Sequence, residues 1–221
     1  FMEQALMNKE DTKMNKPVSK NSVVSTFSKM NLPNKLTILR ILLVPVIVAL
    51  YMLIPADAGV VDQTSGLGAR NIIVLILFAV ASLTDMLDGK IARKHNLITS
   101  FGKFLDPIAD KMLVNTVLIL MVYYHEANVV AVLLMIGRDL IVDGLRLSAA
   151  TSGKVVAAGI WGKAKTVLQM AAIIILLLKN WPFVYIGIPA GSICLWLATA
   201  ASLYSGWIYF VKLKKYVLET M

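Results

Sequence analysis

The sequence predicts an all-α membrane protein with six transmembrane helices, a juxtamembrane amphipathic helix ahead of them, and both termini in the cytoplasm. Apolar residues make up 58% of its 221 positions, against about 45–50% in ordinary soluble domains. They gather in runs close to the roughly 20 residues a helix needs to cross the hydrocarbon. The basic residues that separate these runs fall almost entirely on one side. Alternating ten-residue strands of the barrel type are missing, so the runs are read as helices.

Six spans follow, at about residues 36–54, 71–90, 107–124, 128–147, 164–180 and 184–211. Loops retained in the cytoplasm collect Lys and Arg. With six crossings, 20 of the 22 Lys and Arg lie on the side of the termini, and Arg70 and Lys179 lie opposite. That asymmetry assigns both ends to the cytoplasm. It also turns the net charge of +9 into an inward-facing band suited to anionic lipid headgroups, so nucleic acid is not expected as a partner.

Residues 1–29 are polar and Lys-rich without sustained periodicity, which predicts a flexible extension. No apolar core with a cleavage site precedes the first span, so a signal peptide is not expected. The ordered membrane domain is placed at 30–215, beginning with MNLPNKLTILR. In that stretch Leu32, Leu36, Ile38 and Leu39 alternate with Asn34, Lys35, Thr37 and Arg40, as in a helix lying among headgroups before the first span. Residues 55–70 form a Gly-containing outer loop, and the loops near 125–128 and 179–183 are short. Lys212, Lys214 and Lys215 close the last span, leaving 216–221 as a tail. The lone Cys194 sits in an apolar run and implies no disulfide.

Function is therefore sought at the inner ends of the helices, where SLTDMLDGKIARKHNLITSFGKFLDPIADK places four aspartates between two apolar runs. At 100° per residue, Asp85, Asp88, Gly89 and Ala92 share one helix face. Gly102, Asp106 and Asp110 repeat at intervals of four and share another. Each face joins two carboxylates to residues with little or no side chain, leaving room for a bulky ligand near the backbone. Pro107 suits the first turn of a helix capped by Asp106, although the helix could also run on through it. Four such charges near the membrane require a counter-charge. Mg²⁺ or Mn²⁺ fits, being a hard oxygen-ligand cation that also grips phosphate, and two ions are feasible. The plainer alternative is a rim of ion pairs with Lys90, Arg93, Lys103 and Lys111.

Asp85, Asp88, Gly89, Ala92, Arg93, Gly102, Asp106 and Asp110, with eight residues between Arg93 and Gly102, resemble the signature of the CDP-alcohol phosphotransferases. The resemblance covers about residues 30–215. It implies transfer of a phosphoryl-linked group from a CDP-linked donor to an alcohol with release of CMP, and a homodimeric assembly. It further implies that Asp85, Asp88 and Asp106 hold the metal pair, with Asp110 as a further ligand and as the base. On the same analogy Asn34, Thr37, Asp85, Gly89, Ala92, Arg93 and Gly102 bind the CDP-lipid.

For the acceptor, Arg138, Arg146, Lys163 and Lys165 fall on the inner side around one loop and are candidates to hold a second phosphate. Alternatively, Asp139, Asp143 and Arg146 share a helix face and simply pair. The stretches GRDLIVDGLR, WGKAKTVLQM and LPNKLTILR are similar to those of the phosphatidylglycerophosphate synthase branch of the family. Two departures are Asp139 where Glu is expected and Asp143 where a small residue is typical. This likeness implies CDP-diacylglycerol and glycerol 3-phosphate as substrates. Another alcohol such as inositol phosphate, or divalent-cation transport, are the competing expectations.

Overall fold

The computed structural model of the protein describes residues 31–94, 99–151 and 159–218, with the side chains of 85–94, 100, 101, 103, 151 and 215–218 outside the description. Among the described residues there are six α-helices and no strand. They are α1 (Leu32–Leu53), α2 (Ala69–Lys94), α3 (Ser100–Tyr123), α4 (Val129–Thr151), α5 (Ile160–Leu177) and α6 (Ala190–Leu218), with a 3₁₀ turn at Phe183–Ile186. Each apolar stretch of the sequence falls on one of these helices. Leu32–Leu53, Ile160–Leu177 and Ala190–Lys214 are long and apolar enough to cross a membrane, and Ala69–Thr84 is a shorter apolar stretch.

Three boundaries differ from the sequence expectation. First, the segment expected to lie as a separate amphipathic helix is the opening of α1, which continues unbroken into the apolar run. Pro33 falls in its first turn, where a missing N–H costs nothing, and no breaker separates Asn34 from Val44. Second, α3 starts at Ser100 rather than near Pro107, because Thr99 caps it: the Thr99 hydroxyl accepts the Gly102 N–H at 3.0 Å. The helix therefore runs on through Pro107. Third, the last helix starts at Ala190, since Gly187 takes a left-handed conformation (φ 68°) after the 3₁₀ turn and Pro189 follows it.

Packing divides the molecule into two three-helix halves. In the first, α1 lies against both α2 and α3, while α2 and α3 barely touch over their described lengths. In the second, α6 lies against α4 and α5. Thinner contacts, α2 with α5 and α3 with α4, join the halves. A continuous core runs through both, built from Ile47, Phe78, Leu118, Met135, Ile173 and Leu195 among others. Large apolar side chains such as Leu53, Leu140, Val167 and Trp207 point outward, as expected where lipid is the solvent.

At the end of the bundle remote from the aspartates, Glu126 gathers the helix ends. It accepts Nη2 of Arg70 and Nζ of Lys179, both at 2.8 Å on Oε1, and the Tyr51 hydroxyl at 2.6 Å on Oε2. The Arg70 guanidinium also lies over the rings of Tyr51 and Tyr124, at 4.6 and 4.4 Å from their centroids. Arg70 is 1% exposed, so removing its anion leaves a buried charge uncompensated. Glu126→Ala is expected to cost about 3–5 kcal/mol, read as a lowered melting temperature in detergent, with Glu126→Gln losing less.

Candidate active site

The two acid-bearing faces form at the helix ends opposite Glu126. On α2, which runs to Lys94, the helical backbone places Asp85, Asp88, Gly89, Ala92 and Arg93 in the angular relation expected from 3.6 residues per turn. Their side chains lie outside the described residues, as do those of Lys90 and Lys103.

The α3 half is described in detail, and α1 meets it step by step. Asn34 accepts the Thr99 hydroxyl at 3.0 Å, the Thr37 hydroxyl reaches Asp106 Oδ1 at 2.6 Å, and Arg40 Nη1 donates to Asp110 Oδ1 at 3.0 Å. Steps of three residues along α1 are thus matched to steps of seven and four from Thr99 to Asp106 and Asp110, with the two helices running in the same direction. Gly102 is required by this contact: a Cβ there would come within 2.7 Å of Asn34 Oδ1. The space expected for a ligand at Gly102 is occupied by the Asn34 amide. Asn34 and Thr37 are 7% and 1% exposed, so the structure brings them to α3 rather than to an open surface.

Asp106 is exposed, and the Asp110 side chain is 48% exposed, against 0% for its partner Arg40. Each aspartate is held through Oδ1 from the α1 side. Among the described residues no three His, Cys, Asp or Glu converge as a metal cluster; the α2 carboxylates are outside that search. Donor chemistry is all carboxylate oxygen, half of it pinned by Thr37 and Arg40, which fits Mg²⁺ or Mn²⁺. Of the expected rim of ion pairs, the part that is described is absent: Lys111 pairs with Asp143, not with Asp106 or Asp110.

Across the seam between the halves lies a cluster of cations. Arg138 donates Nη1 to Asp139 at 2.8 Å and Nη2 to Ser205 at 2.7 Å, and Lys165 donates to the other oxygen of Asp139 at 2.6 Å. The stem of Arg138 lies on Gly206, where a Cβ would approach its Cγ to 2.8 Å. Arg138 Nε is buried without a hydrogen-bond partner. Arg146 stacks its guanidinium 4.6 Å over the Tyr209 ring, and the Tyr209 hydroxyl accepts the Gly159 N–H at 2.8 Å. The expected pairing of Arg146 with Asp139 or Asp143 does not occur among the described residues: both acids are taken, by Arg138 and Lys165 and by Lys111. Lys163 stands exposed on the first turn of α5.

Sequence reasoning missed Arg40, Ser205, Tyr209 and the Lys111–Asp143 pair. A usable indication existed for Arg40, an ionisable residue within an apolar helix at three-residue spacing from Thr37 and Asn34. Ser205 and Tyr209 sit one turn apart in an apolar helix and carry no local mark.

Asp106 and Asp110 thus stand on the α1–α3 half, Arg138, Lys165 and Arg146 on the α4–α6 half, and the Lys111–Asp143 pair crosses the seam between them. The sequence profile of the CDP-alcohol phosphatidyltransferases matches residues 30–204. The chain belongs to the CDP-alcohol phosphatidyltransferase family. It is similar to several family members named CDP-diacylglycerol–glycerol-3-phosphate 3-phosphatidyltransferase. That of Bacillus subtilis is 45% identical over 183 residues, covering 82% of this chain and 94% of the relative. That of Rickettsia bellii is 42% identical, covering 84% and 97%, and that of Mycoplasma pneumoniae is 39% identical, covering 68% and 69%. In this phosphatidyltransferase the matched region takes in all six helices, from α1 well into α6.

Proposed function

We propose that the protein transfers the phosphatidyl group of CDP-diacylglycerol to glycerol 3-phosphate, giving phosphatidylglycerol phosphate and CMP. The observation that carries this is the 45% identity to a relative of that name over nearly its whole length. In the reaction, the primary hydroxyl of glycerol 3-phosphate attacks the phosphorus that bears the diacylglycerol. A P–O bond forms, the P–O bond within the diphosphate breaks, and CMP departs with the electron pair.

Asp110 takes the proton of the attacking hydroxyl; its half-exposed carboxylate, anchored on Arg40, supports that role. Arg138 and Lys165, both held by Asp139, bind the acceptor phosphate together with Arg146 and Lys163, which add positive charge. Gly89 and Ala92 leave room for the cytidine, Arg93 steadies it, and Asn34, Thr37 and Gly102 keep α3 in place beside it. Two Mg²⁺ or Mn²⁺ ions held by Asp85, Asp88, Asp106 and Asp110 would supply charge neutralisation at the diphosphate. Positioning of two anionic substrates supplies much of the rest.

The same reading has six crossings of the cell membrane, with both termini and the site on the cytoplasmic side, supported by the distribution of Lys and Arg. It also has the chain acting as a homodimer among membrane lipids, as the family resemblance implies. The test is to incubate purified protein in lipid nanodiscs with CDP-diacylglycerol, Mn²⁺ and, separately, glycerol 3-phosphate, inositol phosphate or serine, and to weigh the lipid products. Phosphatidylglycerol phosphate from the first acceptor is expected. Preference for another alcohol would overturn the acceptor, and absence of CMP with every acceptor would overturn the enzymatic reading.

A further inference from the structure

We propose that Arg40 is a positioning residue that fixes the separation and register of the two acid-bearing helices, and thereby the reach of their carboxylates toward a shared divalent cation. The cation part of this rests on the metal-site reading above; the spacing part does not. α2 and α3 carry the two halves of the acidic site yet scarcely contact each other over their described lengths, while α1 packs along both. Their mutual distance is therefore set through α1. The buried face of α1 is Asn34, Thr37, Arg40, Val44, Ile47 and Tyr51. Its apolar members are common packing, whereas its polar members engage α3 at the level of the site.

Arg40 differs from Asn34 and Thr37 in reaching both neighbours. Nη1 donates to Asp110 Oδ1 at 3.0 Å, and Nε donates to the Ala81 carbonyl of α2 at 3.3 Å. Ala81 stands four residues before Asp85, so its carbonyl belongs to the turn that leads into the α2 acids. One planar guanidinium thus has one arm on the approach to Asp85 and another on Asp110. Because the fork is rigid, its two arms cannot follow independent movements of the two helices. The side chain is fully buried, so it does not serve as a surface charge for headgroups. A lysine at this position would keep the charge but, as a single ammonium on a flexible stem, would lose the two-armed geometry.

The experiment measures the spacing directly. Nitroxide labels at L83C and F104C, on outward-facing positions of α2 and α3 that are 54% and 70% exposed, are introduced with Cys194→Ser. Distances are then read by pulsed EPR in nanodiscs without metal. Arg40 protein is expected to give one narrow distribution, Arg40→Met a displaced or broadened one, and Arg40→Lys an intermediate. In unlabelled protein, Mn²⁺ affinity should fall by about 10- to 100-fold in Arg40→Met, the usual range when a group supporting a metal ligand is lost. The turnover number should fall with it, while KM for glycerol 3-phosphate stays within about twofold, because ligand alignment rather than acceptor binding is damaged. Unchanged distances in Arg40→Met would overturn the proposal. So would an Arg40→Lys protein that matches Arg40 in both distance and Mn²⁺ affinity, a result still obtainable if the methionine variant does not fold. Failure of the Arg40 protein itself to take up Mn²⁺ would sink the metal-site reading and the cation part of the proposal, while the distance comparison would still decide the spacer role.

Discussion

Asp110→Asn is expected to lower turnover by about 10²- to 10⁴-fold, the usual contribution of a positioned general base, while CDP-diacylglycerol binding persists. The amide retains the shape of the carboxylate, and its oxygen can still accept the Arg40 Nη1 bond seen at 3.0 Å. What it lacks is the ability to take a proton. Steady-state CMP release gives the turnover number, and calorimetric titration with CDP-diacylglycerol gives the affinity. The substitution replaces one anionic partner of the buried Arg40 by a neutral amide, so its melting temperature should fall as well. Assays are therefore run well below that temperature. Near-normal turnover would remove Asp110 from the role of base.

Arg138→Ala is expected to raise KM for glycerol 3-phosphate by about 10- to 100-fold, in keeping with the roughly 1.5–3 kcal/mol of a hydrogen bond to a charged group. KM for CDP-diacylglycerol should hardly move. The asymmetry follows from the two halves of the bundle: Arg138 belongs to the α4–α6 half with Lys165, Asp139 and Ser205, and Asp85, Asp88, Asp106 and Asp110 belong to the α1–α3 half. Arg138→Lys should recover part of the loss, since it restores charge and most of the stem packed on Gly206 but not the forked geometry. An equal rise in both KM values would take Arg138 out of the acceptor site.

Much of this was legible in the sequence because it depends on local periodicity. Runs of apolar residues place all six helices, and intervals of three and four place the aspartates on common faces. Relations between helices were not legible. Nothing local says that Asn34, Thr37 and Arg40 step along α3 in register with Thr99, Asp106 and Asp110. Arg40 counted as one more inward charge, yet it is fully buried. Gly102 read as space for a ligand, but that space belongs to Asn34. Pro107 is a strong local mark for a helix beginning, but the Thr99 cap prevails over it and α3 takes the other course the sequence allows, running on through Pro107. Arg146 shows the same difficulty: its spacing from Asp139 and Asp143 favours pairing, but partners on other helices claim both acids and leave it stacked on Tyr209.

The length of α2 has a consequence for where the chemistry takes place. Its 26 residues span about 39 Å at 1.5 Å per residue, some 9 Å more than a hydrocarbon core of about 30 Å. The apolar part, Ala69–Thr84, accounts for about 24 Å of that length, so on the proposed crossing the acids follow at the inner end, where acyl tails give way to headgroups. On that reading a donor lipid offers its diphosphate while its tails stay immersed, and a water-soluble acceptor meets it without entering oil. So placed, the helix would act as a depth gauge, and a thicker host bilayer, by submerging its end, would slow the reaction through hydrophobic mismatch.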